Sequence, residues 1–260
     1  ERLYKMGVDV IKAHSGLTRD DYFAIVKAAH AHMLKVHAHV YDEAAVRNAF
    51  DADVDVLQHV GSAGFPTYSA ELVRAIAESG RPVVLTAAHR SWIYPDTVTF
   101  PERLENPAAK SLFPADIWAA VQASFKEWPA EGYFAGINRQ MKYRSPQVKQ
   151  WIDSAAVMGV GTDSGTPMNF NNDGLIREMK VLADEGLPIM EVISDTTRVN
   201  ARIMGKPNLG TIEPGKLADI IVVPGDPIYN DLTNLFSVQV VIKGGVIYKR
   251  DGKPTIEMPK

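Results

Sequence analysis

The feature that most constrains this chain is a short apolar strand, in the stretch 157–165, that ends abruptly at Asp163 and is followed by a turn. A carboxylate at the end of a buried strand is costly unless a positive group or hydrogen-bond donors meet it. Three apolar strands upstream have the same form and end near Lys12, His37 and His59. Four strands that each finish on a group able to bind a metal predict a metal site where those strand ends meet.

Strand and helix patterns alternate through most of the chain. Mostly apolar strands that are each followed by a helix predict a parallel sheet covered on both faces. Five such strands are predicted, and they end at Lys12, His37, His59, Thr86 and Asp163. The carboxyl ends of strands are where a (β/α)8 barrel builds its active site, but five strands cannot close an eight-stranded barrel. From these patterns alone we predict an α/β fold with a parallel sheet.

Apolar residues at helical spacing separate these strands. They predict helices over 20–32, 43–50, 69–79, 146–157, 173–184 and 188–204. We expect Thr18 or Asp20 to cap the first helix and Gly80 to end the third. Between residues 90 and 144 the alternation is interrupted by a long insertion rich in Pro, Trp and Tyr, with a helical patch near 115–128. Loops of this length are often lids or binding loops.

The carboxyl-terminal part, residues 206–260, differs from the rest of the chain. It contains β-branched runs, and a Gly-Gly pair between apolar arms at 242–248 is typical of a hairpin. We expect two units, one over 1–205 that contains the insertion 90–144, and a small antiparallel sheet over 206–260.

Composition excludes several classes of partner and ligand. The net charge of −3 argues against nucleic acid or an anionic membrane as the main partner. No apolar run approaches the roughly 18 residues of a membrane span. The chain has no cysteine, so a metal must be held by nitrogen and oxygen ligands, which suits zinc and similar divalent ions. Because the chain opens at Glu1 and enters a strand almost at once, we expect a piece of a longer protein, and its compartment, cytoplasmic or exported, stays open.

Several motifs together resemble one known family. They are the lysine strand at 9–12, Val-His-Ala-His at 36–39, Leu-Gln-His-Val-Gly at 57–61, Gly-Thr-Asp-Ser at 161–164, Thr-Thr-Arg-Val-Asn-Ala-Arg at 196–202 and Gly-Thr-Ile-Glu-Pro-Gly-Lys-Leu-Ala-Asp-Ile at 210–220. With them the chain resembles the carboxyl-terminal part of the amidohydrolase superfamily, in the branch of imidazolonepropionase-like enzymes and Xaa-Pro or Xaa-Arg dipeptidases. The resemblance implies about strands four to eight of a distorted (β/α)8, TIM-like barrel, that is, a partial metal-dependent hydrolase barrel over 1–205, followed by a segment of a small β-sandwich over 206–260. It also implies one or two divalent metal ions, Zn2+ or similar, at the barrel mouth.

The resemblance also implies a role for each strand-end residue. Lys12 matches the bridging lysine of the fourth strand, which the family often carboxylates. His37 matches the fifth-strand metal ligand and His59 the sixth-strand ligand. Asp163 matches the eighth-strand metal ligand that doubles as the catalytic base. The family's first-strand His-x-His pair has no counterpart in the chain, so we expect only part of a binuclear site.

Other residues near the expected mouth are candidates for packing or for contact with substrate. Of His37 and His39 we expect only one to point into the barrel with the metal, and we assign that place to His37, leaving His39 to pack or to line the rim. His14, His89 and Tyr94 are candidate substrate-binding residues. Surface placement is the alternative for the two histidines, and packing of the insertion onto the barrel is the alternative for Tyr94.

Three functions remain open from the sequence. The first is a metal-dependent hydrolase that cleaves an amide, ester or cyclic amide bond by metal-activated water, acting on a small dipeptide, an N-acyl amino acid, a cyclic amide or an ester. The second is a truncated, non-catalytic or weakly active half-barrel. The third is a promiscuous esterase without a metal, although Ser164 lacks a G-x-S-x-G elbow. Because open sheet edges favour pairing, we expect a homo-oligomer or a partner that supplies the missing strands.

Overall fold

The computed structural model describes residues 1–61, 65–89, 110, 113–127, 137–165, 169–171, 173–225 and 232–255. Within them, five strands form one parallel sheet in chain order. The strands are β1 (Val10–Ala13), β2 (Lys35–His39), β3 (Val56–Gln58), β4 (Val83–Val84) and β5 (Met158–Gly159). All five predicted strands are present, so the predicted α/β fold with a parallel sheet is confirmed. In the described part of the chain β1 and β5 are the two edges of the sheet and no closed barrel is formed.

Helices follow the strands, as the alternating pattern predicts. They are α1 (Arg2–Lys5), α2 (Arg19–His30), α3 (Glu43–Asp51), α4 (Ala70–Ser79), α5 (Ala115–Glu127), α6 (Ile137–Asp153), α7 (Gly174–Asp184), α8 (Ile189–Ser194) and α9 (Asn200–Ile203), with a π-helical turn, Asp195–Val199, between the last two. Thr18 caps α2: its hydroxyl accepts from the Asp21 N–H at 3.2 Å and its own N–H donates to the Asp21 carboxylate at 2.9 Å. Gly80 ends α4 with a φ of 69°, which confirms its predicted place.

The two faces of the parallel sheet bury different groups, because successive side chains of a strand alternate. One face points its apolar side chains, such as Val36 and Leu57, into the main hydrophobic core with residues of α2, α3 and α4. The opposite face is called the site face below. The strand register places its members side by side: Lys12 beside His37, His39 beside Gln58, Gln58 beside Val84, and Val84 beside Gly159.

A helical segment, Asp195–Ile203, covers the amino-terminal half of the site face, and we call it the floor helix. Ile203 packs against Val56 and Val84 in a small buried cluster. The close approach requires a glycine on β5, since a Cβ at Gly159 would lie 2.5 Å from Ile203 Cδ1. The floor helix thus fills the site face at one end and leaves reactive side chains at the other.

Hydrogen bonds fix the floor helix to the segment after β5 and to β2. The Asn200 amide accepts from the Val160 N–H at 3.0 Å and donates to the Val160 carbonyl at 2.8 Å and to the Thr196 carbonyl at 3.2 Å. Near the other edge, Lys35 Nζ donates to the Ile203 carbonyl at 2.9 Å. The predicted helix over 188–204 is therefore present, with a π-helical interruption that the apolar spacing does not reveal.

A second, antiparallel sheet lies in the carboxyl-terminal part of the chain. Its strands are β6 (Ile220–Val222), β7 (Val240–Lys243), β8 (Val246–Arg250) and β9 (Lys253–Pro254). Gly244 and Gly245 form the turn between β7 and β8 with φ values of 55° and 81°, so the predicted hairpin is confirmed. The division into two units at residue 205 stays a prediction. No helix in the described part of the chain has both the length and the apolar character needed to cross a membrane.

Candidate active site

Three site residues in the loops that follow the strands have left-handed backbone conformations. The φ values are 71° for His59 after β3, 54° for Thr86 after β4 and 50° for Asp163 after β5. Non-glycine residues adopt this region at an energetic cost, and such residues cluster at functional sites. Regular alternation would turn His59 away from the face that carries Gln58, so the left-handed turn re-aims its ring.

Histidine rings cluster at the carboxyl end of β2 and β3. The rings of His39 and His59 are 4.5 Å apart between centroids and cross at 63°. His14 stacks on His39 at 4.4 Å with an interplanar angle of 16°, and the Tyr41 ring meets His39 edge-on at 4.6 Å. His14, predicted to lie near the mouth, is therefore brought against the histidine pair.

His59 is held as a neutral imidazole. It is 3% exposed, and its Nδ1 lies 3.1 Å from the Thr86 hydroxyl. Burial, followed by the positive charges of His39 and Lys12, lowers the pKa of His59 to about 3, while Asp163 opposes this shift. Neutral imidazole is the form that binds a metal or accepts a proton.

Asp163 lies on the far side of this group, next to His89. The His89 Nε2 is 3.8 Å from Asp163 Oδ2, and His89 is 5% exposed. The Ser164 hydroxyl is 2.8 Å from the Thr162 hydroxyl and donates to Asn169 Oδ1 at 3.2 Å. These hydroxyl contacts tie the loop after β5 together, and they pair Ser164 with neutral groups rather than with a base.

A buried tyrosine below the histidine cluster holds two of the strand-end loops. The Tyr68 hydroxyl is 2.7 Å from the Tyr41 carbonyl and 3.0 Å from the Val60 carbonyl, so its single O–H is shared between these two acceptors. The Trp151 indole N–H donates to the same Val60 carbonyl at 3.2 Å. Burial raises the pKa of Tyr68 far above its ordinary value, so the hydroxyl stays protonated and remains a donor.

The kinds of donor gathered here, imidazoles and a carboxylate, fit a divalent cation. Their number does not make a complete set. Within the described ranges no group of three or more histidine, aspartate or glutamate side chains is placed to hold a metal ion. A metal at this place would therefore need further ligands beyond those that the described residues bring together.

Comparison with known proteins decides the family. A sequence model of the amidohydrolase family matches residues 10–248. The chain belongs to the amidohydrolase family. It is 31% identical over 123 residues to the 5-methylthioadenosine/S-adenosylhomocysteine deaminase of Halothermothrix orenii, a match that covers 39% of this chain and 28% of that protein.

Several solved structures are similar in fold to this chain. A Xaa-Pro dipeptidase with bound methionine has a TM-score of 0.70 at 24% identity, covering 95% of this chain and 56% of the dipeptidase. The ochratoxinase of A. niger has a TM-score of 0.68 at 20% identity, covering 98% of this chain and 53% of the ochratoxinase. The amidohydrolase chain thus spans about half the length of the solved structures that it matches. The family and its hydrolase relatives support an enzyme of the hydrolase type.

The exposure pattern of β2 corrects one expectation about this amidohydrolase site. Val36 and Ala38 are buried while His37 and His39 are both half-buried, so the two histidines share the site face. The expectation that only one of them would point this way is wrong, because residues two apart on a strand lie on the same side. His37 Nδ1 lies 2.9 Å from Gln58 Nε2, and the ring beside His59 is that of His39. The metal-ligand role of His37 stays a prediction.

Of two further predicted site residues, the structure describes Lys12 but not Tyr94. Lys12 lies on the site face but is exposed, so the described chain does not supply the burial that would favour a neutral, carboxylated amine. Its carboxylation stays a prediction. Burial lowers the pKa of His37, and the Lys12 charge adds to that shift. Tyr94 falls outside the described residues.

Proposed function

We propose that this chain forms part of a metal-dependent amidohydrolase that cleaves an amide, ester or cyclic amide bond with metal-activated water. The observation that carries the proposal is the placement of two pairs, His39 with His59 and His89 with Asp163, at the carboxyl ends of parallel strands in a chain of this family. Reactive side chains gathered at that end of a strand set are typical of barrel enzymes.

The metal is assigned to His59 and Asp163 in this chain, and its further ligands would come from outside the described residues. Because His59 uses Nδ1 for its contact with Thr86, its Nε2 is the nitrogen assigned to the metal. Lys12 and His37 are kept as predicted metal ligands. Zn2+ or a similar divalent ion suits this set of nitrogen and oxygen donors, with one or two ions bound.

A divalent metal bound here would polarise the substrate carbonyl and lower the pKa of a bound water toward ~7. The carboxylate of Asp163 accepts the proton of the attacking water and returns it to the leaving group. His89, whose Nε2 is 3.8 Å from the carboxylate, orients Asp163 and contacts substrate. His14, exposed at the mouth, is a second substrate contact.

The five parallel strands are proposed to be strands four to eight of a (β/α)8 barrel. The two edges, β1 and β5, do not pair with each other, and apolar side chains near β1 are exposed, including Met6 at 67% and Val10 at 39%. An open edge beside exposed apolar surface favours pairing with further strands. We propose that a second copy or another polypeptide supplies the remaining strands and the remaining metal ligands. The substrate is proposed to be a small dipeptide, an N-acyl amino acid, a cyclic amide or an ester.

Metal content and native mass of the purified chain test the proposal together. We expect bound zinc after dialysis against ZnCl2, a native mass above that of one chain, and hydrolysis that a chelator abolishes. His59→Ala should lose the metal, whereas the matched control His32→Ala, at a histidine paired with the exposed Glu1, should keep it. Hydrolysis that continues undiminished after all metal has been removed would contradict the proposal.

A second candidate is a non-catalytic half-barrel that assembles into an oligomer. It is favoured by the absence, within the described ranges, of three or more metal-binding side chains that converge. The same purified chain decides between the two: an oligomer that takes up no zinc and hydrolyses no ester or dipeptide supports the half-barrel. The contacts of Ser164 with Thr162 and Asn169 give the metal-free serine esterase no support.

A further inference from the structure

The segment 85–89, which follows β4, joins the two sides of the candidate site. Thr86 contacts the Nδ1 of His59 at 3.1 Å, and His89 lies 3.8 Å from the carboxylate of Asp163. One side of the site therefore depends on where Thr86 projects and the other on where His89 projects. Both projections are set by the backbone between them.

Glu178, on helix α7, holds that intervening backbone. Its Oε1 accepts from the N–H of Ala87 and its Oε2 from the N–H of Ala88, each at 2.7 Å, and the residue is 1% exposed. A carboxylate offers two equivalent acceptor oxygens, whereas a glutamine of the same shape offers one acceptor and one donor. Glu178 therefore matches two adjacent amide donors with a geometry that its neutral analogue cannot reproduce.

A carboxyl group at this depth is costly for the fold. Burial raises the pKa of Glu178 to about 7, and the two groups that act against the shift are the amides of Ala88 and Ala87. An apolar side chain in the same place would bury itself without that cost. The group is therefore badly suited to simple packing and well suited to holding two backbone N–H groups.

We infer that Glu178 is a positioning residue of the candidate site, which sets the places of Thr86 and His89 and, through them, those of His59 and Asp163. This inference deepens the proposed function and takes its meaning from it. The positioning itself can be measured in a chain that hydrolyses nothing.

The test follows the imidazole 15N signals of the full chain labelled with 15N-histidine, in Glu178→Gln and in the matched control Leu182→Ala. Leu182 lies on the same helix and is also 1% exposed, but it belongs to the main apolar core. Signals are assigned from single variants that each delete one histidine. Amide exchange at Ala87 and Ala88 is measured in parallel.

In Glu178→Gln we expect the signals of His59 and His89 to move by more than a line width while those of the distant His30 and His32 stay in place. Exchange at Ala87 is expected to accelerate about tenfold or more relative to Leu182→Ala. Equal movement of the His59 and His89 signals in Leu182→Ala, or no movement in Glu178→Gln, would overturn the inference.

If Glu178→Gln does not fold, Glu178→Asp serves the same comparison, because a carboxylate set back by one methylene is drawn away from both amides. Zinc affinity gives a second readout that depends on the proposed function, with an expected loss of about 10- to 100-fold in Glu178→Gln. Movement of both histidine signals in a chain that binds no zinc would support the positioning role and count against the metal-dependent hydrolase. The positioning role of Glu178 and the metal-dependent hydrolase can therefore be refuted independently of each other.

Discussion

Replacing Asn200 by aspartate tests how the edge strand that leads to Asp163 is held. The Asn200 amide accepts from the Val160 N–H and donates to the carbonyls of Val160 and Thr196. Aspartate has the same shape but only acceptors, so both donated bonds become contacts between two oxygens. Each lost hydrogen bond costs about 1 kcal/mol and leaves a carbonyl unsatisfied, so we expect Asn200→Asp to lose about 2–4 kcal/mol of unfolding free energy at pH 7.

Urea unfolding measures this loss as a lower midpoint at an unchanged slope. Lowering the pH toward ~4 protonates part of the introduced carboxyl and restores one donor, so the deficit should shrink as the pH falls. Asn200→Ala is the control, because it loses the two donated hydrogen bonds, and the accepted one as well, without acquiring a titratable group. A deficit of Asn200→Asp below about 0.5 kcal/mol, or one that is equal at both pH values, would refute the reasoning.

Three further perturbations follow from contacts described above. Gly159→Ala should cost about 1–3 kcal/mol because its Cβ would meet the Ile203 side chain, and adding Ile203→Val should restore part of the urea midpoint. Tyr68→Phe leaves the Tyr41 carbonyl without its buried donor and should lower thermal stability by about 1–2 kcal/mol; an unchanged Tm would contradict this. Burial raises the pKa of Glu178 to about 7, so its protonated form adds stability that is full below ~4.5 and is lost as the pH rises through about 7. The difference in stability between wild type and Glu178→Gln should therefore decline by about 3 kcal/mol across that window, and a flat difference would exclude a raised pKa.

The fold was predictable because the spacing of apolar residues within each short segment indicates a strand or a helix. The five parallel strands, the cap at Thr18, the end of α4 at Gly80 and the β7–β8 hairpin all follow from residues close in sequence. Strand bounds shifted by a few residues: β2, expected to end at His37, occupies Lys35–His39. That shift matters, because it brings His39 inside the strand.

The candidate site was predictable only in part. The chain order of strands brings His59 and Asp163 to the same end of the sheet, and a sequence reveals that order. Left-handed backbone turns at His59, Thr86 and Asp163 depend on how the strand ends pack; His and Asp adopt this conformation more often than most residues, whereas the β-branched Thr does not. The role of Glu178 rests on bonds to residues about 90 positions away, which no local pattern encodes.

The hydrogen bonds of Asn200 make the two edges of the parallel sheet unequal. Both polar groups of the Val160 backbone are engaged by the Asn200 amide, so a strand arriving at the β5 side must first displace that amide. Among the described hydrogen bonds, no side chain engages the β1 backbone in this way. A further strand of the kind proposed above would therefore meet less resistance beside Val10–Ala13 than beside β5.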